Sequence, residues 1–454
     1  MYKKIRQGTA FFLSAVIAAG LFGCGQPSSG QPGVQSSQPG QAKEAGQPAQ
    51  TNKAEEESKS TDKVNVTMAV WSSSSAAIQE EAAKVFNDSQ DQINFTVEMQ
   101  SGDYAQYLGA KTVANDLPDL FYINPYSELW QYAKNGYLLD LSDQPFASKI
   151  YDSTKEGVTY DGKIYGYPSS VEYWGLFYNI DAFEKAGITE PPVTFSQLQE
   201  ACEKLKAAGI TPFAATYKDS WTCEQVFCAL YAGAMQDRLP GWVADMNAGK
   251  STFSQEGVDK VFRFIDLMKE NSGTNYMDSD ATAGYNSFAG GDAAMIFLGN
   301  FALRSARKVN PDIRLGMLPV PISDNPEESK IMCNTGVGIV VNPNGKHVEE
   351  TLKVLEYVSD NTEGARNWTT IMLDAVGGAM PSMPVKLENV VNEPYYQTAS
   401  QYIAEGKTMG KISNQLNSGG MEIIKNVIQG YFADMSSQEE ILGQLDEQIL
   451  KLAE

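Results

Sequence analysis

Histidine is almost absent from the sequence, and its scarcity excludes several kinds of site. His347 is the only histidine among 454 residues, so a zinc or iron site built from several imidazoles cannot form within this chain. A Ser-His-Asp triad would have to use His347, which lies in "NPNGKHVEE", where a predicted helix begins after a turn. We therefore expect no metal site, no histidine-dependent catalytic site and no cofactor.

Cysteine is also rare. Cys24 lies near the N-terminus, and the other four are Cys202, Cys223, Cys228 and Cys333. Four cysteines in an exported protein could pair in three ways, but a body of this length does not depend on a disulfide framework. The spacing of Cys223 and Cys228 matches no metal-binding motif, so we expect both to be small buried residues.

Basic residues are outnumbered by acidic ones, 35 to 56, which gives a net charge of −21. A strongly acidic surface repels nucleic acids and anionic lipids, so no nucleic-acid partner is expected. Only six arginines follow residue 23. Because convergent arginines usually hold a carboxylate or phosphate ligand, this composition favours a neutral ligand.

The N-terminal segment "TAFFLSAVIAAGLFGCG" contains an apolar run, residues 10–22, that is shorter than the roughly 20 residues needed to cross a bilayer. Basic residues precede the run and small residues follow it, which is the order of a secretory signal peptide. The ending "LFGC" resembles the bacterial lipobox, in which the cysteine is lipidated and becomes the first mature residue. This resemblance implies that residues 1–23 are removed and that Cys24 carries a lipid. A plain signal peptide cut near "AAG" is the alternative.

Residues 24–63 combine the predicted lipidated cysteine with a segment poor in apolar side chains. Residues 25–63 include no aromatic residue, leucine or isoleucine, so they cannot bury enough apolar surface to offset the entropy of ordering. We expect a disordered tether that holds a folded body at the extracellular face of a bacterial cell membrane. Residues 64–454 are long for a single hydrophobic core, which favours two domains.

The beginning of this body alternates strands with a helix. The segments "KVNVTMAVW", "INFTVEMQ" and "DLPDLFYIN" have the apolar pattern of strands, and "SSSSAAIQEEAAKVFND" has that of an amphipathic helix. Such alternation predicts an α/β fold with a parallel sheet covered by helices. Because ligands bind beyond the carboxyl ends of parallel strands, Trp71, Tyr122 and residues 72–75 become candidates for a site.

Three later helices are marked by their caps or their apolar face. "TFSQLQEACEKLKAAG" begins with the capping-box pair Thr194 and Gln197, and "SSQEEILGQLDEQILKL" begins with Ser437 and Glu440. "HVEETLKVLEYVSD" places its apolar residues on one side.

A long central stretch carries a family resemblance. Residues 160–213, "YDGKIYGYPSSVEYWGLFYNIDAFEKAGITEPPVTFSQLQEACEKLKAAGITPF", resemble the extracellular solute-binding proteins of carbohydrate-uptake ABC transporters, a group that includes the maltose-binding protein. Further segments resemble this family in the same order, namely "DLPDLFYIN", "GYLLDLSD", "SFAGGDAAMIFLGNFAL", "LGMLPVP", "TGVGIVVNPNG", "VSDNTEGARNW" and "GYFADMSSQEEILGQLDEQI". Each motif is short, but the ordered set runs essentially from Val64 to Glu454.

The resemblance implies an α/β, two-lobe periplasmic-binding-protein-like fold with hinge crossovers and a central ligand cleft. The chain would cross between the lobes near residues 170–173, 332–334 and 380–382. The N-terminal lobe would contain residues 64–170 plus 333–380, and the C-terminal lobe residues 173–332 plus 381–454.

The resemblance and the chemistry of sugars together indicate which side chains bind the ligand. Aromatic rings cover the apolar faces of sugar rings, and carboxylates and amides form hydrogen bonds with the hydroxyls. The predicted ligand-binding residues are Trp71, Tyr122, Glu172, Tyr173, Trp174, Asp219, Trp221, Asn300 and Phe301.

Several of these residues have a structural alternative. Trp71 could belong to the core of its lobe, and Asp219 could cap the following helix. Tyr173 and Trp174 point in opposite directions from one strand, so one could line the cleft while the other packs. Phe301 stands where the family usually has tryptophan, so it keeps the flat face and lacks the N–H donor.

Other residues near these motifs are weaker candidates. Tyr126 follows the third strand in a loop. Gly377 and Gly378 precede the last predicted crossing, where a ligand contact with the backbone and a simple turn are both compatible with the sequence. Trp242 and Trp368 are expected to be packing residues.

The resemblance implies a receptor, not an enzyme. It would be a monomeric, membrane-tethered substrate-binding protein that captures a sugar or oligosaccharide for the permease subunits of an ABC transporter. Alternatives stay open: a binding lipoprotein for a peptide or a polyamine, which an acidic cleft would suit; a secreted glycoside hydrolase with paired carboxylates; or a receptor that reports to a sensor kinase.

Overall fold

The computed structural model describes residues 63–71, 76–100, 103–362, 365–376, 380–383 and 393–453. All of them belong to one compact unit, Ser60–Glu454. The predicted signal peptide, lipidated Cys24 and almost all of the predicted tether lie outside the described residues, as do residues 72–75 and the pair Gly377 and Gly378.

Strands and helices alternate along much of the described chain. The strands are β1 (Val64–Trp71), β2 (Ile93–Gln100), β3 (Leu120–Ile123), β4 (Thr159–Tyr160), β5 (Lys163–Ile164), β6 (Tyr167–Pro168), β7 (Val171–Asn179), β8 (Thr211–Phe213), β9 (Ala293–Gly299), β10 (Leu315–Leu318), β11 (Ile331–Thr335), β12 (Gly338–Val341) and β13 (Thr408–Met409). The α-helices are α1 (Ala76–Ser89), α2 (Tyr104–Val113), α3 (Ser127–Lys134), α4 (Asp152–Lys155), α5 (Ile180–Lys185), α6 (Phe195–Ala207), α7 (Ser220–Met235), α8 (Leu239–Asn247), α9 (Val258–Glu270), α10 (Ala281–Gly290), α11 (Phe301–Val309), α12 (Val348–Ser359), α13 (Trp368–Val376), α14 (Pro394–Ala404), α15 (Ile412–Gln415), α16 (Gly420–Phe432) and α17 (Gln438–Leu450).

The first sheet has the strand order β2-β1-β3-β12-β6. β1 is parallel to β2 and β3, as the strand–helix alternation predicts, whereas β12 is antiparallel to β3 and β6. The apolar side chains of Val66, Met68 and Val70 are fully buried in the core of this sheet. The polar Asn65, which alternates with them, is exposed, so burial alternates along the first half of β1. Further along the strand Ala69 is buried as well.

The second sheet has the order β13-β11-β7-β9-β8, and β10 pairs with β7. β7 pairs antiparallel with β9, β10 and β11. Its side chains alternate between two cores: Trp174 and Leu176 enter one, and Tyr173 and Phe177 enter the other. Helix α7 is buried along almost its whole length against the core that contains Trp174, in agreement with its nearly continuous apolar sequence.

The chain passes from the first sheet to the second between Pro168 and Val171 and returns between Thr335 and Gly338. These two crossing segments lie side by side, because the Gly336 N–H donates to the Ser170 carbonyl at 2.7 Å. A third strand segment touches them where the Val171 N–H donates to the Met380 carbonyl at 2.7 Å.

The return crossing lies slightly later than the predicted 332–334. β11 remains paired with β7 as far as Thr335, opposite Val171, so Cys333 still belongs to the second sheet. The reason is the continuous ladder of backbone hydrogen bonds, which ends only where Gly336 follows. The division of the chain into lobes at the predicted limits stays a prediction.

The predicted helix starts are largely confirmed. Ser437 and Glu440 form the reciprocal capping box of α17. Thr194 caps α6 by accepting from the Gln197 N–H at 3.3 Å, but the Gln197 side chain accepts from the Val193 N–H instead of from Thr194. None of the helices in the described part of the chain has both the length and the apolar character that crossing a membrane requires.

The four cysteines of the described residues are free thiols, and Cys202, Cys223 and Cys228 are buried. This confirms the expectation for Cys223 and Cys228. Burial raises the pKa of the Cys202 thiol to about 12, so it stays protonated at neutral pH.

Candidate ligand-binding site

A cavity of about 640 Å³ lies where the two sheets meet the crossing segments. Its floor includes Ser169, Ser170, Gly336 and Val337 of the two crossings, and its walls come from elements of both sheets. A cavity of this volume is within the usual range for binding sites of small molecules.

The wall on the side of the first sheet is aromatic. Trp71 ends β1 and Tyr122 lies in β3, and their rings meet edge to face with centroids 5.2 Å apart. They meet because β1 and β3 are parallel, so their carboxyl ends share one edge of the sheet. The Tyr122 hydroxyl accepts from Gln79 Nε2 at 3.2 Å, and burial raises the pKa of Tyr122. Trp368, at the start of α13, completes this wall.

The wall on the side of the second sheet presents another group of aromatic rings. Trp174 lies in β7, and its Nε1–H donates to Gln225 Oε1 at 2.8 Å. Trp221 lies in the first turn of α7, and its ring centroid is 6.1 Å from that of Phe301 at the start of α11. Asn300 precedes Phe301 and is held by a hydrogen bond from its N–H to the Tyr173 carbonyl at 2.9 Å. The cavity is thus bounded by flat apolar faces on both sides.

A carboxylate lies in this wall as well. Glu172 extends from β7 on the same side as Trp174 and lines the cavity. Burial raises the pKa of the Glu172 carboxyl to about 7, although the positive charge of Lys411 acts in the opposite direction. Because desolvation disfavours the charged form, this group would be stabilised by a ligand that donates hydrogen bonds to it.

A buried ion pair lies in the same wall. Lys411 Nζ is 3.2 Å from Glu224 Oε2, and the side chains of Lys411 and Glu224 are only 7% and 2% exposed. The other carboxylate oxygen of Glu224 accepts from the Ser413 hydroxyl and from the Cys228 thiol. Lys411 also lies above the ring of Trp174, with its Nζ 5.8 Å from the ring centroid. Both members of the pair line the cavity.

Three buried amide oxygens of the cavity wall have no hydrogen-bond partner within the described part of the chain. They are Oε1 of Gln79 and Oδ1 of Asn334 and of Asn414. A fourth amide of the wall, Asn124, donates from Nδ2 to Glu128 Oε2 at 2.7 Å. Since buried polar atoms are normally hydrogen-bonded, these acceptors indicate a ligand with several donors.

A family model described as "Bacterial extracellular solute-binding protein" matches residues 81–394. The chain belongs to this family. The resemblance that the sequence motifs carry is thereby confirmed, and the family description implies an extracellular location for this solute-binding protein and a binding role for its relatives.

Known proteins resemble this solute-binding protein over most of its length. The melibiose/raffinose/stachyose-binding protein MelE of Bacillus subtilis is 20% identical over 416 residues, which are 88% of this chain and 92% of MelE. A structure from work on xylan utilization by Caldanaerobius polysaccharolyticus superposes with a TM-score of 0.74 at 20% identity, over 85% of this chain and all of the other. A Bacillus licheniformis sugar transporter protein in complex with stachyose gives a TM-score of 0.70 at 20% identity, over 86% of this chain and all of the other. These likenesses show the two-lobe α/β fold that was expected.

The structure brings most of the predicted site residues of this solute-binding protein together. Those that line the cavity are Trp71, Tyr122, Glu172, Trp174, Trp221, Asn300 and Phe301. Whether they bind the ligand stays a prediction.

Two predicted site residues lie elsewhere. Tyr173 is fully buried in the core on the opposite face of β7, because neighbouring side chains of a strand point to opposite faces. Asp219 does not line the cavity either, since its Oδ2 accepts from the Ala281 N–H at 2.9 Å and so joins the starts of α7 and α10. The structure therefore does not bring these two residues to the cavity with the other predicted site residues.

Sequence reasoning missed several residues of the cavity wall. Trp368 was expected to be a packing residue, but it lines the cavity as well as the core, whereas Trp242 is buried as expected. Glu224 did have a signal, since it is the only charged residue of the apolar helix "SWTCEQVFCALYAGAM". Lys411 and Asn334 lie in segments without any distinctive pattern.

Proposed function

We propose that this solute-binding protein captures an uncharged sugar or oligosaccharide outside the bacterial cell and delivers it to an ABC transporter. The observation that carries the proposal is the cavity wall itself, which combines aromatic faces on both sides with buried oxygen atoms that lack a partner among the described residues. Apolar flatness and a surplus of hydrogen-bond acceptors are the two properties that a sugar ring requires of its site.

The chemistry of a pyranose ring matches these groups individually. Its C–H faces can stack on rings such as Trp71 and Trp221, which contribute area at low conformational cost. Its hydroxyls can donate to the amide oxygens of Asn334 and Asn414 and to the carboxylate of Glu172, where charge-assisted bonds are the stronger ones.

Relatives support the same ligand class. MelE is named for melibiose, raffinose and stachyose, and the similar Bacillus licheniformis protein was crystallised with stachyose. Because this chain has the same fold around its cavity, we expect it to bind a related saccharide.

The proposed mechanism is capture by closure. A ligand that touches both walls gains its full set of contacts only when the walls approach each other, so it favours the closed arrangement. The closed protein would then dock as a monomer on permease subunits of the membrane. Cys24 would carry the lipid anchor at the extracellular face, and no covalent chemistry on the ligand is proposed.

Calorimetry on the full chain tests the proposal. Raffinose, stachyose, maltotriose and xylotriose would be titrated in turn, with spermidine and a tripeptide as the non-sugar arms. We expect saturable binding of at least one saccharide, and chromatography after prolonged incubation should recover it intact. Binding confined to spermidine or the peptide would contradict the sugar assignment, and release of shorter saccharides would identify a glycoside hydrolase instead.

A further inference from the structure

The charged side chains that line the cavity are arranged unevenly. On the side of the first sheet, the polar groups of Gln79, Asn124 and Tyr122 are neutral. The four charged lining residues, Glu172, Glu224, Lys411 and Lys425, all lie on the side of the second sheet. The second wall is therefore the one that can discriminate between charged and uncharged ligands.

Neither lysine among the described lining residues is a free cation. Lys411 pairs with Glu224 at 3.2 Å, and Lys425 pairs with Glu422 at 2.6 Å. The ion pairs formed by the described residues do not include Glu172. Glu422 lies outside the lining and neutralises Lys425. Above pH 7, where Glu172 is ionised, the wall thus carries one carboxylate that neither lysine neutralises.

Stability alone does not explain the buried Glu224–Lys411 pair. Burying two charges is expensive, and well-packed apolar residues in their place would often stabilise a protein equally well. Here both carboxylate oxygens of Glu224 have partners, Lys411 at one and Ser413 and Cys228 at the other. The Lys411 ammonium has three N–H donors, and the described residues occupy one of them with Glu224.

Two amide oxygens add further hydrogen-bond acceptors beside these charged residues. Asn334 lies opposite Glu172 in the β7–β11 ladder, and Asn414 lies three residues after Lys411. Their Oδ1 atoms are buried without a partner in the described part of the chain. Both oxygens are acceptors, so they suit a hydroxyl that donates to them, whereas a carboxylate or phosphate oxygen has no hydrogen to donate.

We propose that Glu172 and the Glu224–Lys411 pair form a subsite that accepts the hydroxyls of uncharged sugars and excludes acidic sugars such as uronic acids and sugar phosphates. This inference rests on the proposed function. A hydroxyl can donate to Glu172 and also accept from Lys411, whereas an anionic group would meet Glu172 with no uncompensated lysine to balance it among the described lining residues. Glu224 acts here as a specificity-determining residue, because it neutralises the deeply buried cation of the wall.

The test uses pairs of saccharides that differ only by oxidation of one CH₂OH group to a carboxylate. Glucose and glucuronate, galactose and galacturonate, and the dimers and trimers of each would be titrated calorimetrically into the full chain at pH 8, where the Glu172 carboxyl is ionised. We expect the neutral member to bind at least 10-fold more tightly than its acidic counterpart. Equal affinity for the two members would overturn the proposal.

Two variants locate the effect. Glu224→Gln keeps an acceptor for Ser413 and Cys228 but leaves the charge of Lys411 without its partner. It should therefore reduce the ratio of neutral to acidic sugar affinity by about 10-fold. Glu172→Gln removes the carboxylate that no lysine of the wall neutralises and should narrow the preference independently, which keeps the test open if Glu224→Gln does not fold. If both variants fold and retain the full preference, the assignment is wrong.

Lys269→Met is the matched control. Lys269 is 9% exposed and pairs with Asp434 at 2.5 Å, so it resembles Lys411 in its own burial and in having an acidic partner. Asp434 is 70% exposed, and Lys269 lies outside the cavity lining. Its loss should change stability and leave the ratio of neutral to acidic binding unchanged. If none of these saccharides and none of raffinose, stachyose, maltotriose and xylotriose binds the parent protein, the proposed function fails and this inference with it. If neutral and acidic sugars bind alike, only the inference fails.

Discussion

Trp221 is the residue at which binding and folding are most readily separated. Its side chain is half-buried, packs near Phe301 and lines the cavity. Trp242 is of the same type but is 4% exposed, lies in the core of the second sheet and donates from Nε1 to the Thr252 carbonyl at 2.8 Å. The pair therefore offers a cavity tryptophan and a core tryptophan in one molecule.

We expect Trp221→Ala to weaken saccharide binding by about 1–3 kcal/mol, because a buried aromatic contact with the ligand is lost. The Tm of the unliganded protein should change little. Calorimetry and thermal unfolding measure the two effects. Trp242→Ala should show the reverse, a lower Tm with unaltered affinity. Equal affinity of Trp221→Ala and the parent would remove Trp221 from the site.

Glu172 should make the free energy of unfolding depend on pH. Burial raises the pKa of its carboxyl from 4.5 to about 7, so between these values the folded chain binds more protons than the unfolded chain does. The free energy of unfolding therefore falls as pH rises through this range. Glu172→Gln should abolish this decline and be more stable than the parent at pH 8 by up to about 3 kcal/mol, with little difference at pH 4.5.

Urea unfolding at the two pH values measures this effect. Glu440→Gln supplies a control of opposite sign, since hydrogen bonds from Ser437 lower the pKa of Glu440 and its contribution to stability is lost as the pH falls. A parent protein whose stability relative to Glu172→Gln does not vary with pH would show that Glu172 titrates normally.

At the scale of elements, the two crossing segments are joined at a glycine. A Cβ atom on Gly336 would lie 2.4 Å from Ser170 Oγ and 2.7 Å from the Ser170 carbonyl oxygen. The backbone at Ser170 cannot move aside as the end of a flexible side chain can. The two crossing segments therefore approach this closely only because residue 336 has no side chain.

Gly336→Ala should therefore lower the free energy of unfolding by about 1–3 kcal/mol, the scale of overpacking in a well-packed region. Denaturant unfolding measures it. Gly109→Ala, within α2, is the matched control because a Cβ atom at that position would meet no described atom within 4 Å. It should be neutral or stabilising by about 0.5–1 kcal/mol. A Gly336→Ala protein as stable as the parent would mean that the crossings can separate without loss.

For the whole molecule, the proposed anchor is the feature that connects the binding unit to a cell surface. We expect Cys24→Ala to release the protein from membranes while calorimetry shows unchanged saccharide affinity, because the cavity is built from residues far along the chain. The distribution between the membrane pellet and the supernatant after detergent-free washing measures release. Cys202→Ala, at a buried free thiol, should stay in the pellet. Retention of Cys24→Ala in the pellet would contradict the lipid assignment.

Features that depend on residues close together in the chain could be predicted from the sequence. Local periodicity and hydrogen bonding account for the alternating apolar residues of β1, the caps at Thr194 and Ser437, and the aromatic residues at the ends of β1 and β3. The ordered motifs also identified the family, because such motifs preserve the sequence of elements even where overall identity is low. Trp71 and Tyr122 could be placed together since parallel strands end at one edge.

Which side chains share the second wall became apparent only from the folded chain. Alternation along β7 established that Tyr173 and Trp174 face opposite ways, but the choice between them depended on the core that packs behind β7. Glu224 and Ser413 are 189 positions apart, and Lys411 joins them through folding of the whole unit. No local pattern encodes such a meeting, because its energy comes from desolvation and pairing that exist only once the distant segments have packed together.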